Sequence, residues 1–187
     1  MSKKIAVFLA PGFEEIEALA TVDVLRRAGL NVVTAAAGGS KTLQVAGAHN
    51  IPVIADVFAK DLNASDLMLT ICPGGLPGAT NLRDDPVVTK LIADVFNAGN
   101  YAAAICAAPI VLNAAGLLKD RKYTCYPSFE KQINPANYTA KRVHVDGKVI
   151  TACGPGASLE FAYEILRQLG MADVAAKVKD GMLATQG

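Results

Sequence analysis

Lys4-Ile-Ala-Val-Phe-Leu-Ala10, cut off by Pro11-Gly12 and followed by a patterned stretch from Glu14 to Ala28, decides the fold. An apolar run without polar alternation predicts a strand covered on both faces, the habit of parallel sheets. Beyond the Pro-Gly break, apolar residues recur at 16, 19, 20, 22, 24 and 25. Acids crowd the first turn, Arg26-Arg27 occupy the last, and Gly29 follows. Each is a helix signal, and the charges complement the helix dipole at both ends. Asn31-Val-Val-Thr-Ala-Ala36 then reads as a second strand. Residues 4–36 are thus a β-α-β unit with a right-handed crossover.

The alternation continues outward. Asp66-Leu-Met-Leu-Thr-Ile-Cys72 reads as a third buried strand. It is followed by the glycine loop Pro73-Gly74-Gly75-Leu76-Pro77-Gly78 and by a helix from Asp84-Asp85-Pro86 to Ala98. Tyr101 to Ile105 predicts a strand and Ala107 to Gly116 a helix. Arg142 to Ala152 is a hairpin signal about Asp146-Gly147, and 157–169 and 171–183 read as helices. Weaker signals give short strands at 43–45 and 51–54, a connector at 56–65, a short strand at 123–126 and a short helix at 127–132. Strand and helix in alternation predict an α/β sandwich with a mostly parallel sheet, one domain over 1–187.

Composition narrows the function. With 187 residues, 52% of them hydrophobic and 19% charged, the chain can bury a core and is not a disordered sequence. The net charge of +1 comes without a basic block, and Trp is absent, so nucleic-acid binding has neither electrostatic footprint nor stacking platform. The apolar run to Ala10 is too short for a signal peptide, and no stretch can span a membrane, which predicts a cytoplasmic protein with free thiols at Cys72, Cys106, Cys125 and Cys153. Those cysteines form no CxxC pair and only two His are present, which argues against a zinc site.

Cys106 sits where a strand turns sharply toward a helix, with the small residues Ala104 and Ala108 on either side. That is the pattern of a nucleophile elbow. A thiol before a helix N-terminus would also be drawn toward the thiolate. The plain alternative is a buried structural Cys in an Ala-rich core. In an open parallel sheet, ligands bind beyond the C-terminal strand ends. Four loops meet that condition: 11–17, 73–78, 105–108 and 154–156. Gly74 and Gly75 can offer unobstructed N–H groups as an oxyanion hole, or they are a tight turn without a ligand. Neither glycine loop is a phosphate-binding motif, and the acidic first β-α turn would repel phosphate, which counts against a dinucleotide. Glu14 and Glu15 read as solvated first-turn acids. Glu17, if it points inward, would have a raised pKa and could donate to a Cys106 thiolate. His144 reads as surface, and nothing in the sequence places His49 at the elbow.

Taken together, Leu9-Ala-Pro-Gly-Phe-Glu-Glu-Ile-Glu17, Val22-Asp-Val-Leu-Arg-Arg-Ala-Gly29, Pro73-Gly-Gly-Leu-Pro-Gly-Ala79, Ala103-Ala-Ile-Cys-Ala-Ala-Pro109 and Gly154-Pro-Gly-Ala-Ser158 resemble the ThiJ/PfpI superfamily, in its DJ-one (parkinsonism-associated) branch. The resemblance implies a flavodoxin-like three-layer α/β/α sandwich and a homodimer. It implies an oxidation-prone nucleophile at Cys106, with Glu17 as the protonated acid beside it. Gly74, Gly75 and Ala107 would line the oxyanion or substrate pocket; His49 and Arg27 are the candidates for a contribution from a partner subunit. The implied activity is that of a glyoxalase or deglycase without cofactor or metal, acting on a small dicarbonyl or its glycated adducts. The alternatives are a redox sensor or chaperone, and a Cys peptidase or amidase. One position departs from the pattern: Thr124-Cys125-Tyr126 carries Tyr126 where many members have His. A phenol is no base at neutral pH, which weakens a Cys-His mechanism and leaves Tyr126 as a hydrogen-bonding group.

Overall fold

The computed structural model describes residues 3–184. Fifteen helices and strands follow in chain order. The first half holds β1 (Lys4–Leu9), α1 (Glu15–Arg27), β2 (Val32–Ala36), β3 (Gln44–Ala46), β4 (Pro52–Ile54), β5 (Val57–Phe58), β6 (Leu67–Cys72) and α2 (Gly78–Arg83). The second holds α3 (Pro86–Asn97), β7 (Tyr101–Ile105), α4 (Pro109–Ala114), β8 (Val143–Asp146), β9 (Val149–Ala152), α5 (Ser158–Gln168) and α6 (Ala172–Gly181).

Seven strands form one sheet in the order β5-β2-β1-β6-β7-β9-β8, parallel except for the β8–β9 hairpin at one edge. Central strands are apolar on both faces because both faces are covered. Ala6 and Phe8 face one buried cluster with α3 and α4, while Ile5, Val7 and Leu9 face the other with α1 and α5. This is the expected three-layer α/β architecture. From β1 the chain first builds outward through β2 and then crosses to β6 on the other side. The crevice between β1 and β6 is therefore the topological switch point, where such sheets take ligands.

Several local expectations change. Between the glycine loop 73–78 and the helix expected from Asp84, a stretch with no assigned element, α2 begins at Gly78. Gly, Thr and Asn are poor helix formers, and tertiary packing of Ala79 and Leu82 holds the turn instead. The helix after Cys106 starts at Pro109, not Ala107, since Pro sets the first helical residue. Residues 123–126 form no strand; Tyr123 makes a single bridge to Tyr138. The short strands at 44–46 and 52–54 pair with each other as a hairpin outside the main sheet. In the 56–65 connector, Val57–Phe58 joins the sheet edge beside β2.

Candidate functional site

Cys106 follows β7 directly and adopts φ 63°, a left-handed conformation that L-residues rarely take. Its N–H still donates to Ala152 O at 2.9 Å, so the ladder runs up to the thiol and the chain turns only there. Ala104 and Ala108 are fully buried, which shows why the elbow needs small neighbours. The side chain is half-buried.

Gly74 is required by what surrounds it. A Cβ there would lie 2.7 Å from Cys106 Cβ and 2.8 Å from Glu17 Oε2. Its N–H donates to Glu17 Oε2 at 2.7 Å. Gly75 has φ 83°, and a Cβ on it would overlap the Glu14 backbone. The N–H groups of Gly75 and Ala107 reach the Cys106 sulfur, where they favour its charged form.

Glu17, on the first turn of α1, is 1% exposed. Burial pushes its carboxyl up to about 7, against the pull of the Gly74 N–H and the Cys106 thiol. Its second oxygen, Oε1, is buried and has no hydrogen-bond partner among the described residues. Burial also pushes the Cys106 thiol up, and a negative Glu17 adds to this. Two buried acids side by side resist ionising together, so the pair holds a proton at neutral pH. An orphaned carboxyl oxygen is what a carboxylic O–H would use to donate to sulfur.

The structure brings Tyr126 to the same place. Its N–H donates to Cys106 O at 2.8 Å, and its half-exposed ring lies against Gly154, where a Cβ would come within 3.2 Å of Cδ2. The other two residues are engaged locally. Arg27 reaches Asp23 on its own helix at 2.7 Å. His49 stands on Glu15, with Nδ1 2.8 Å from Oε2 and its N–H donating to Oε1 at 2.8 Å. Glu15 raises the His49 pKa. Glu15 itself corrects the sequence reading: it is buried, not solvated, and it pins the β3–β4 turn to α1. Gly47 is the one sequence trace of this, since a Cβ there would overlap the Glu15 carboxylate. Among the described residues, the one group of three metal-capable side chains is Glu14, Glu15 and His49, and it does not include the thiol. No helix of the described residues is long and apolar enough to cross a membrane.

The DJ-1/PfpI family model matches residues 3–168. Protein dj-1beta of Drosophila melanogaster is 35% identical over 185 residues, 98% of each chain. The glutathione-independent glyoxalase DJR-1.2 of Caenorhabditis elegans is 36% identical over 172 residues, 90% of each chain. Protein DJ-1 homolog B of Arabidopsis thaliana is longer: at 37% identity the match spans 90% of this chain and 38% of that relative. The crystal structure of Drosophila melanogaster DJ-1beta superposes with a TM-score of 0.90 at 36% identity, covering 98% of each chain. With its elbow cysteine, its seven-stranded sheet and this similarity over nearly its whole length, the chain belongs to the DJ-1/PfpI family, in its DJ-1 branch.

Proposed function

We infer that the protein is a cofactor-independent glyoxalase, or a deglycase of the same mechanism, acting on methylglyoxal, glyoxal or their adducts. The observation that carries this reading is the pairing of the half-buried Cys106 thiol with a buried Glu17 whose pKa stands near 7. A carboxyl poised there can give and take protons in one turnover. The Cys106 sulfur attacks the aldehyde carbon as its proton passes to Glu17. The new alkoxide lies toward the N–H groups of Gly75 and Ala107 and takes the proton back, giving a hemithioacetal. The Glu17 carboxylate then removes the C1 proton and returns it to C2, while the C1 hydroxyl proton passes to the C2 oxygen, leaving a 2-hydroxy acid thioester. Water cleaves the thioester and releases the hydroxy acid. Tyr126 is suited to hold the substrate oxygen at the pocket mouth. The name of the C. elegans relative supports the same chemistry.

The test is D-lactate release from methylglyoxal. Wild type is expected to form lactate, Cys106→Ala none, and Glu17→Gln about 10²–10⁴-fold less in kcat. Lactate formation unchanged in Cys106→Ala would refute the reading. A purely redox-sensing role would instead show peroxide modification of Cys106 with no lactate. A Cys-His peptidase is disfavoured because the His49 ring is committed to Glu15. Exposed Ile16 and Leu19 on α1, Ile54 on β4 and Leu159 on α5 suit a homodimer, to which His49 and Arg27 could contribute across the interface. The free cysteines suit the reducing cytoplasm.

A further inference from the structure

The thiol beyond the next strand end has no role in this chemistry, yet the sheet register sets it beside Cys106. In the β7–β9 pair, Ala104 lies against Thr151 and Ile105 against Ala152. The next residues along these two parallel strands are Cys106 and Cys153. The ladder persists to this point, because the Cys106 N–H donates to Ala152 O at 2.9 Å. Neighbouring strands run about 5 Å apart, inside the Cα separation that a disulfide spans. Both side chains are half-buried, and both pack against the cluster beneath α1 and α5. The remaining cysteines, Cys72 and Cys125, are fully buried. Neither presents its sulfur to a peroxide in solution, which removes them as competitors.

We propose that Cys153 is the resolving thiol of Cys106, so that a hydroperoxide converts the pair into an intramolecular disulfide before Cys106 can be over-oxidised. The proposal rests on the reading of Cys106 as a reactive thiol. In the first step the Cys106 sulfur attacks the terminal peroxide oxygen. The O–O bond breaks, water or an alcohol leaves, and Cys106 becomes a sulfenic acid. In the second step the Cys153 sulfur attacks the Cys106 sulfur. The S–S bond forms as the S–O bond breaks, and the oxygen leaves as water with the Cys153 proton. The two thiols are oxidised by two electrons and the peroxide is reduced by two. A dithiol reductant restores both thiols by exchange. For the second step the half-buried Cys106 side chain must turn from Glu17 toward β9.

The test is intact-mass analysis of the full chain after three equivalents of hydrogen peroxide, enough for two successive oxidations at one sulfur, in wild type, Cys153→Ser and Cys153→Ala. Wild type is expected to lose about 2 Da, with the Cys106 and Cys153 peptides joined, and to regain that mass with dithiothreitol. Both variants are expected to gain about 32 Da at Cys106 instead, the sulfinic acid. Wild type passing directly to the sulfinic acid at the rate of the variants would overturn the proposal while leaving Cys106 reactive. A disulfide mapped to another pair would also overturn it. No mass change in any of the three proteins would overturn it together with the reactive-cysteine reading.

Discussion

Glu17 shows at the scale of one residue how burial becomes chemistry. Its carboxyl moves from an ordinary value of 4.5 to about 7 because the fold removes water from it. The folded chain thus holds a proton that the unfolded chain releases between those two values. Stability contributed by the neutral group is full below about pH 4.5 and is lost as pH rises through about 7. Glu17→Gln keeps an acceptor for the Gly74 N–H and abolishes the titration. Urea unfolding from pH 4.5 to 8.5 is expected to show wild type losing about 3 kcal/mol relative to Glu17→Gln. Parallel curves would mean that the carboxyl is already ionised in the fold. Gly74→Ala places a methyl among Cys106, Glu17 and Ala107 and should cost about 1–3 kcal/mol, read by the same unfolding assay, with loss of activity. Cys106 and Glu17 were legible in the sequence because each lies at a fixed offset from a strand end. Glu15 was not, because its partner His49 is 34 positions away and only folding brings them together.

At the scale of the element, the elbow stores strain. Cys106 holds φ 63° because β7 ends at Ile105 and Pro109 begins α4 only three residues after the thiol. Cys106→Gly should therefore be more stable than Cys106→Ala by about 1 kcal/mol in thermal unfolding, although neither can act as a nucleophile. An equal or lower stability for the glycine variant would contradict strain at this position. The N-terminus of α3 links another element to the sheet. Asp85 Oδ1 accepts the Val87 N–H at 2.9 Å, and Oδ2 accepts the Gly38 N–H at 2.8 Å from the loop after β2. Asp85→Ala should cost about 1–2 kcal/mol, and Asp85→Asn less, since an amide oxygen still caps. The helices α1, α3 and α5 were legible because their apolar spacing and end residues agree. The α2 turn was not, because Gly78, Thr80 and Asn81 carry no helix preference and packing against Gly12 and Pro11 decides the outcome.

At the scale of the whole molecule, the sheet order makes the site. The chain reverses its direction of growth between β1 and β6, so the loops after both strands open a crevice. The Glu14 N–H donates to Gly74 O at 2.9 Å, and the Gly78 N–H to Gly12 O at 3.2 Å, which ties the two loops together. The next strand, β7, delivers Cys106 beside them. Strand identities and their parallel sense could be read from continuous apolar runs. Their spatial order could not, because a run buried on both faces carries no mark of its neighbours. The Cys106–Cys153 adjacency stayed hidden for that reason. The proposed turnover requires Cys106 to bond to the substrate and Glu17 to move the proton. Rapid quenching of the protein with methylglyoxal, followed by intact-mass analysis, tests it most directly. The expected result is a transient gain of about 72 Da on Cys106 in wild type, a persistent one in Glu17→Gln and none in Cys106→Ser. Lactate formed by wild type with no adduct on Cys106 in either wild type or Glu17→Gln would rule out the covalent route.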